Sequence, residues 1–161
     1  MIKPIIQQSI IFIVVSTIIA LSVNAVNPNG ITLLAKDLPQ LDKVDITTTE
    51  VSEPIIATLS LEQAKSFYDS GIPFIDARHD EYYYEGHIKG AIPSDNYMEM
   101  IFTLDSLLEK KTAPIVTYCD GDDCGSSEEL AYDLQSSGYT KIYIFVGGWT
   151  EWTNANYPVS K

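Results

Sequence analysis

The stretch Pro114-Ile-Val-Thr-Tyr118-Cys119-Asp120-Gly121-Asp122-Asp123-Cys124-Gly125-Ser126 decides how this chain is to be read. Pro114–Tyr118 is a short apolar run of strand length. A polar loop containing glycine follows it, and from Ser126 to about Ser137 the pattern is that of a helix closed by Gly138. Strand, loop and helix in immediate succession form the unit from which parallel sheets are built.

The same alternation continues on both sides. Ile55–Leu59 is another short apolar run, and Ser60-Leu-Glu-Gln63 is a capping box opening a helix expected to end near Gly71. Ile72–Ile75 predicts a second strand that stops at Asp76. Asn96–Lys110 carries Met100, Ile101, Leu104, Leu107 and Leu108 as a helical apolar stripe, and Ile142–Val146 is a further strand. Apolar strands separated by helices imply an α/β fold, a parallel sheet covered on both faces.

Residues 54–161 are therefore expected to form one domain, as a chain of 161 residues allows. Residues 1–25 read as a targeting segment. Lys3 supplies a positive end, Ile10–Val23 is apolar apart from Ser16, Thr17 and Ser22, and Val23 and Ala25 have cleavage-site spacing. With Ile5 and Ile6 included the run could just cross a bilayer, so a signal peptide and an uncleaved anchor both stand. Either one implies export. Residues 26–53 contain Asn-Pro-Asn-Gly and a Thr-rich, acidic stretch without periodicity, and read as a flexible linker.

Net charge is −12, and all 22 acidic residues lie after residue 26. Such a surface repels nucleic-acid phosphates and anionic lipid, which leaves the N-terminal segment as the membrane partner. Two cysteines and two histidines make no recognisable metal pattern, and no metal or cofactor is expected.

In open parallel sheets, ligands bind beyond the carboxyl ends of the strands. Three such ends carry unusual residues: Asp76-Ala-Arg78, Cys119 to Cys124, and Gly147-Gly148-Trp149. Cys119 leaves a strand and its loop enters a helix. Loop N–H groups and the helix N-terminus there favour a thiolate, the nucleophilic form. The plainer reading is a buried, inert cysteine. Gly121 and the second cysteine, Cys124, weigh against it.

Asp76-Ala-Arg78 with Glu81-Tyr82 and Gly86-His-Ile-Lys-Gly-Ala-Ile-Pro93 resembles the first signature of rhodanese-like domains. Tyr118-Cys119 with its loop and the Ser127–Leu134 helix resembles their active-site segment. Gly147-Gly-Trp149, Trp152 and Tyr157-Pro158-Val159 resembles their closing motif. The resemblance covers about residues 55–160. It implies a three-layer domain with a five-stranded parallel sheet, in the strand order 1-5-4-2-3. It also implies that Cys119 takes a sulfane sulfur from a small donor as a persulfide and passes it to a thiol or cyanide-type acceptor. Arg78 is then expected to hold Asp76 or Glu81, His87 to be structural, His79 to be exposed, and Trp149 and Trp152 to pack in the core.

The loop departs from the family pattern. It reads Asp120-Gly121-Asp122-Asp123 where many of these sulfurtransferases place Arg or Lys. Three carboxylates raise the thiol pKa and repel thiosulfate. A phosphatase loop would need Arg at the position held by Gly125, so phosphoryl transfer is disfavoured. Two alternatives to sulfur transfer stay open: a Cys119/Cys124 thiol–disulfide pair and a non-catalytic binding module.

Overall fold

A computed structural model of the chain describes residues 2–27, 31, 38–40, 54–121 and 125–161. It divides into two units, Met1–Asp37 and Leu38–Lys161.

The first unit is built on helix α1 (Ile2–Val26). Its stretch Ile6–Val26 has a mean hydropathy of 2.4, long and apolar enough to cross a membrane, a test that signal sequences also pass. The helix runs beyond the expected apolar stretch at both ends. The hydroxyls of Ser16 and Thr17 donate to the Ile13 carbonyl, and that of Ser22 to the Ile18 carbonyl. The hydroxyl-bearing residues in the run thus find partners inside the helix.

The second unit contains strands β1 (Ile55–Leu59), β2 (Phe74–Asp76), β3 (His87–Ile88), β4 (Ile92–Pro93), β5 (Pro114–Tyr118), β6 (Lys141–Phe145) and β7 (Val159–Ser160). Its helices are α2 (Leu61–Asp69), α3 (Asp80–Glu85), α4 (Tyr97–Leu107), α5 (Ser126–Ser136) and α6 (Gly148–Asn154). Five strands form one parallel sheet in the order β1-β6-β5-β2-β4. Numbered among themselves, these five strands follow the order 1-5-4-2-3 that the family resemblance implies. Side chains alternate across the sheet. Ile75, Ile115, Ile142 and Ile144 pack with Met100, Leu104, Leu130 and Leu134 of α4 and α5 on one face. Phe74, Val116, Tyr118 and Phe145 pack with Ala64, Phe67 and Trp152 of α2 and α6 on the other. The result is three layers.

The capping box on α2 is complete, with Ser60 accepting from the Gln63 N–H and the Gln63 side chain accepting from the Ser60 N–H. Several boundaries differ from expectation. Strand β2 starts at Phe74 rather than Ile72, and β6 ends at Phe145 rather than Val146. Helix α4 ends at Leu107, and Leu107 is 62% exposed rather than part of the stripe's buried face. Periodicity assigned it inward, but the helix stops there and the side chain has no layer to enter. The short β3 and β7, an antiparallel ribbon pairing His87 with Ser160 and Ile88 with Val159, escaped sequence analysis because two-residue strands have no readable period. Most of the expected linker lies outside the described residues. Gln40 forms a parallel bridge with Thr58, and the Thr58 N–H donates to the Pro39 carbonyl, so this short piece lies along the outer edge of β1.

Candidate active site

The register of the sheet places its strand ends in one row. Leu59 faces Phe145, Phe145 faces Tyr118, Tyr118 faces Asp76 and Asp76 faces Pro93. The residues that follow them therefore emerge on one rim, at the carboxyl edge where parallel sheets bind ligands. Cys119 is one of these and is 2% exposed.

The Cys119 loop is held from three sides. From below, the buried Thr117 hydroxyl donates to the Ser127 carbonyl at 3.0 Å, tying the first turn of α5 to the strand. From one side, the Trp149 N–H donates to the Cys119 carbonyl at 2.8 Å and the Thr150 N–H to the Asp120 carbonyl at 2.9 Å. This approach depends on Gly148, whose φ is +54° and where a Cβ would stand 2.3 Å from the Cys119 carbonyl oxygen. The third support is Arg78.

Arg78 and Asp76 are both buried, at 7% and 0% exposure. Arg78 Nε and Nη2 donate to the two Asp76 carboxylate oxygens at 2.9 and 2.7 Å, and Nη2 also donates to the Gly86 carbonyl at 2.8 Å. Asp76 further accepts from the Arg78 backbone N–H and from the Tyr118 hydroxyl at 2.6 Å. The Tyr118 oxygen in turn accepts from the Ile88 N–H. No buried side-chain nitrogen or oxygen of the pair lacks a hydrogen-bond partner, the condition under which burial of charge is tolerated. Burial works against the guanidinium charge, but hydrogen bonding and attraction to Asp76, helped by Tyr118 and Asp120, outweigh it and raise the Arg78 pKa. Burial and the Asp76 charge push the Tyr118 hydroxyl well above its ordinary pKa. Arg78 Nη1 reaches Asp120 at 3.5 Å.

Arg78 binds Asp76 and not Glu81. His87 is buried, its Nδ1 lies 2.9 Å from the Tyr83 carbonyl, and its ring stacks on Tyr83 at 3.9 Å. It joins β3 to α3 and does not reach the Cys119 loop by any described bond. His79 is 82% exposed. Trp152 is fully buried, and Trp149 is half-buried, packed against the same core cluster with the Arg78 guanidinium 4.8 Å over its ring. Equal spacing on a short helix concealed this difference, which arises because Trp149 stands in the first turn, beside the loop. Cys119 is disulfide-bonded, and its Sγ lies 3.9 Å from the Gly121 carbonyl. Asp122, Asp123 and Cys124, the chain's other cysteine, lie outside the described residues.

Known proteins resemble this chain in sequence and in fold. The chain is 29% identical over 126 residues to rhodanese-like domain-containing protein 17 of Arabidopsis thaliana, covering 70% of this chain and 78% of the relative. It is 31% identical over 100 residues to thiosulfate sulfurtransferase GlpE of Pseudomonas entomophila, covering 62% of this chain and 86% of that one. Among solved structures, the BH2092 protein of Bacillus halodurans matches with a TM-score of 0.55 and 25% identity, over 64% of this chain and 75% of that chain. The model of the rhodanese-like domain matches residues 60–155, which include both the buried Asp76–Arg78 pair and Cys119. The chain therefore belongs to the rhodanese-like domain family.

Proposed function

We propose that this protein is an exported sulfurtransferase that carries sulfane sulfur as a persulfide on Cys119. The observation supporting this most directly is the placement of Cys119. It follows a buried strand, and its loop backbone is gripped by α6 through Trp149 and Thr150. A nucleophile needs such a fixed position to meet a donor in line. Relatives named thiosulfate sulfurtransferase add the reaction class.

In the proposed reaction the Cys119 thiolate attacks the outer sulfur of a small donor. A sulfur–sulfur bond forms at Cys119 as the donor's own breaks, and the leaving group, sulfite in the case of thiosulfate, departs with the electron pair. A thiol or cyanide acceptor then attacks the terminal sulfur and Cys119 leaves as thiolate. Cys119→Ser should abolish the adduct of one sulfur seen by mass spectrometry after donor treatment of reduced protein, and Cys124→Ser should retain it at least in part. An adduct surviving on Cys119→Ser would sink the assignment.

A second reading is favoured by the disulfide-bonded state of Cys119. Cys124 would resolve the persulfide: its thiolate attacks the Sγ of Cys119, a disulfide forms, and hydrosulfide leaves. An external dithiol then restores both thiols and is itself oxidised. Hydrosulfide released after loading of the wild type but not of Cys124→Ser would favour this route.

Export rests on α1. Lys3 would remain cytoplasmic while the apolar stretch enters the membrane, sending the domain outward. A membrane-impermeant thiol reagent applied after mild reduction should label the protein in cells whose inner membrane is intact. Labelling only after that membrane is broken would overturn this part.

A further inference from the structure

The five N–H groups of the Arg78 guanidinium are not used equally. Nε and Nη2 are spent on Asp76 and the Gly86 carbonyl at 2.7–2.9 Å. Nη1 turns the other way, and among the described residues the acceptor it meets is Asp120 Oδ1, at the longer distance of 3.5 Å. Asp120 directly follows Cys119, and its side chain is 57% exposed. The Trp149 ring lies against the guanidinium at 4.8 Å, and the Trp149 N–H holds the Cys119 carbonyl. A buried cation thus presents one edge to the nucleophile's loop, and the loop's own carboxylate sits on that edge. Counting formal charges, Asp76, Arg78 and Asp120 sum to −1; without Asp120 the cluster would be neutral and the Nη1 edge open to another anion.

Resting on the persulfide reading above, we propose that Asp120 is a specificity-determining residue: its carboxylate occupies the Nη1 edge of Arg78 and turns the Cys119 loop away from anionic sulfur donors and toward uncharged ones. Asp120 is the internal counterpart of the anionic group that a donor such as thiosulfate would bring. The loose, half-exposed contact suits this role, since a carboxylate packed as tightly as Asp76 would serve structure alone.

The test compares matched methanethiosulfonate reagents on reduced protein carrying Cys124→Ser. Each reagent passes its sulfenyl group to the Cys119 thiolate and releases methanesulfinate, and taking the ratio of the anionic sulfonatoethyl to the cationic trimethylammonioethyl form in each variant cancels their intrinsic reactivities. Asp120→Asn should raise the anionic-to-cationic rate ratio by about tenfold at low ionic strength, and less at high salt. Glu128→Gln removes an exposed charge from the first turn of α5 and should change the ratio by less than about threefold. An Asp120→Asn ratio that stays at the parent value, or moves no more than that of Glu128→Gln, overturns the proposal. The persulfide reading fails separately: the ratio would shift as expected, but no donor would leave a sulfur adduct on Cys119.

Discussion

At the residue scale, Gly148 shows most clearly how the site depends on backbone. Its φ of +54° is unfavourable for other residues, and a Cβ there would also strike the Cys119 carbonyl at 2.3 Å and Gly121 N at 2.9 Å. Gly90 has a φ of +83° but nothing within 4 Å of its would-be Cβ. The two glycines therefore separate conformational cost from collision. Gly90→Ala should lose about 1–2 kcal/mol and keep Cys119 reactivity. Gly148→Ala should lose more than about 2 kcal/mol and also slow labelling of Cys119, because α6 must back away from the loop it grips. Urea unfolding with a parallel thiol-labelling rate, both on reduced protein carrying Cys124→Ser, checks both. Equal losses in the two variants would show that the close approach carries no energy.

At the scale of elements, the junction of β5 and α5 rests on a hydroxyl inside the core. Thr117 is fully buried, and its bond to the Ser127 carbonyl fastens the helix start whose capping residue, Gly125, makes no side-chain cap bond. Thr117→Val keeps the shape but leaves that carbonyl without the donor. Stability should fall by about 1–3 kcal/mol. Amide exchange should quicken in the first turn of α5 more than in its last turn, where Leu134 anchors the helix in the core. Uniform quickening along α5 would mean that the bond supports the whole helix rather than its start. A thiol-labelling rate on the reduced Thr117→Val protein tests whether Cys119 reactivity depends on a fixed helix terminus.

For the whole molecule, the distribution of tyrosines sets an alkaline limit on stability. Burial raises the pKa values of Tyr83, Tyr118, Tyr139 and Tyr143, with carboxylates Asp76 and Asp105 adding to the effect at Tyr118 and Tyr139. Free tyrosine ionises near about 10, so above that pH the unfolded chain binds fewer protons than the folded one. Stability is then lost as pH rises, by up to ~1.4 kcal/mol per pH unit for each tyrosine kept neutral in the fold. Below about pH 9 these groups contribute no slope. Urea midpoints should fall between pH 9.5 and 11, about where the tyrosinate band near 295 nm grows on unfolding. Tyr118→Phe should make this decline shallower, although its midpoint is lower at neutral pH through loss of the bonds to Asp76 and the Ile88 N–H. A decline equally steep in the variant would remove Tyr118 from the account.

Apolar period and punctuation by themselves pointed to an α/β chain whose parallel sheet is covered by helices on both faces. Ile55–Leu59, Pro114–Tyr118 and the Ser60 capping box are local features, and local sterics and burial decide them. The same pattern marked Cys119 as a residue on a strand–loop–helix junction, and the motif order pointed to the family. Tertiary structure decided what pairs of distant residues do. Only the shared strand-end row brings Arg78 to Asp120 across 42 positions of sequence, and only the entry into α6 at Gly148 sets the half-buried Trp149 against that guanidinium while Trp152 is fully buried. The ribbon of His87–Ile88 with Val159–Ser160 likewise depends on a partner more than 70 residues away. Charge and packing act through space, so a sequence pattern shows that Arg78 is present and the fold alone shows which of its edges is already occupied.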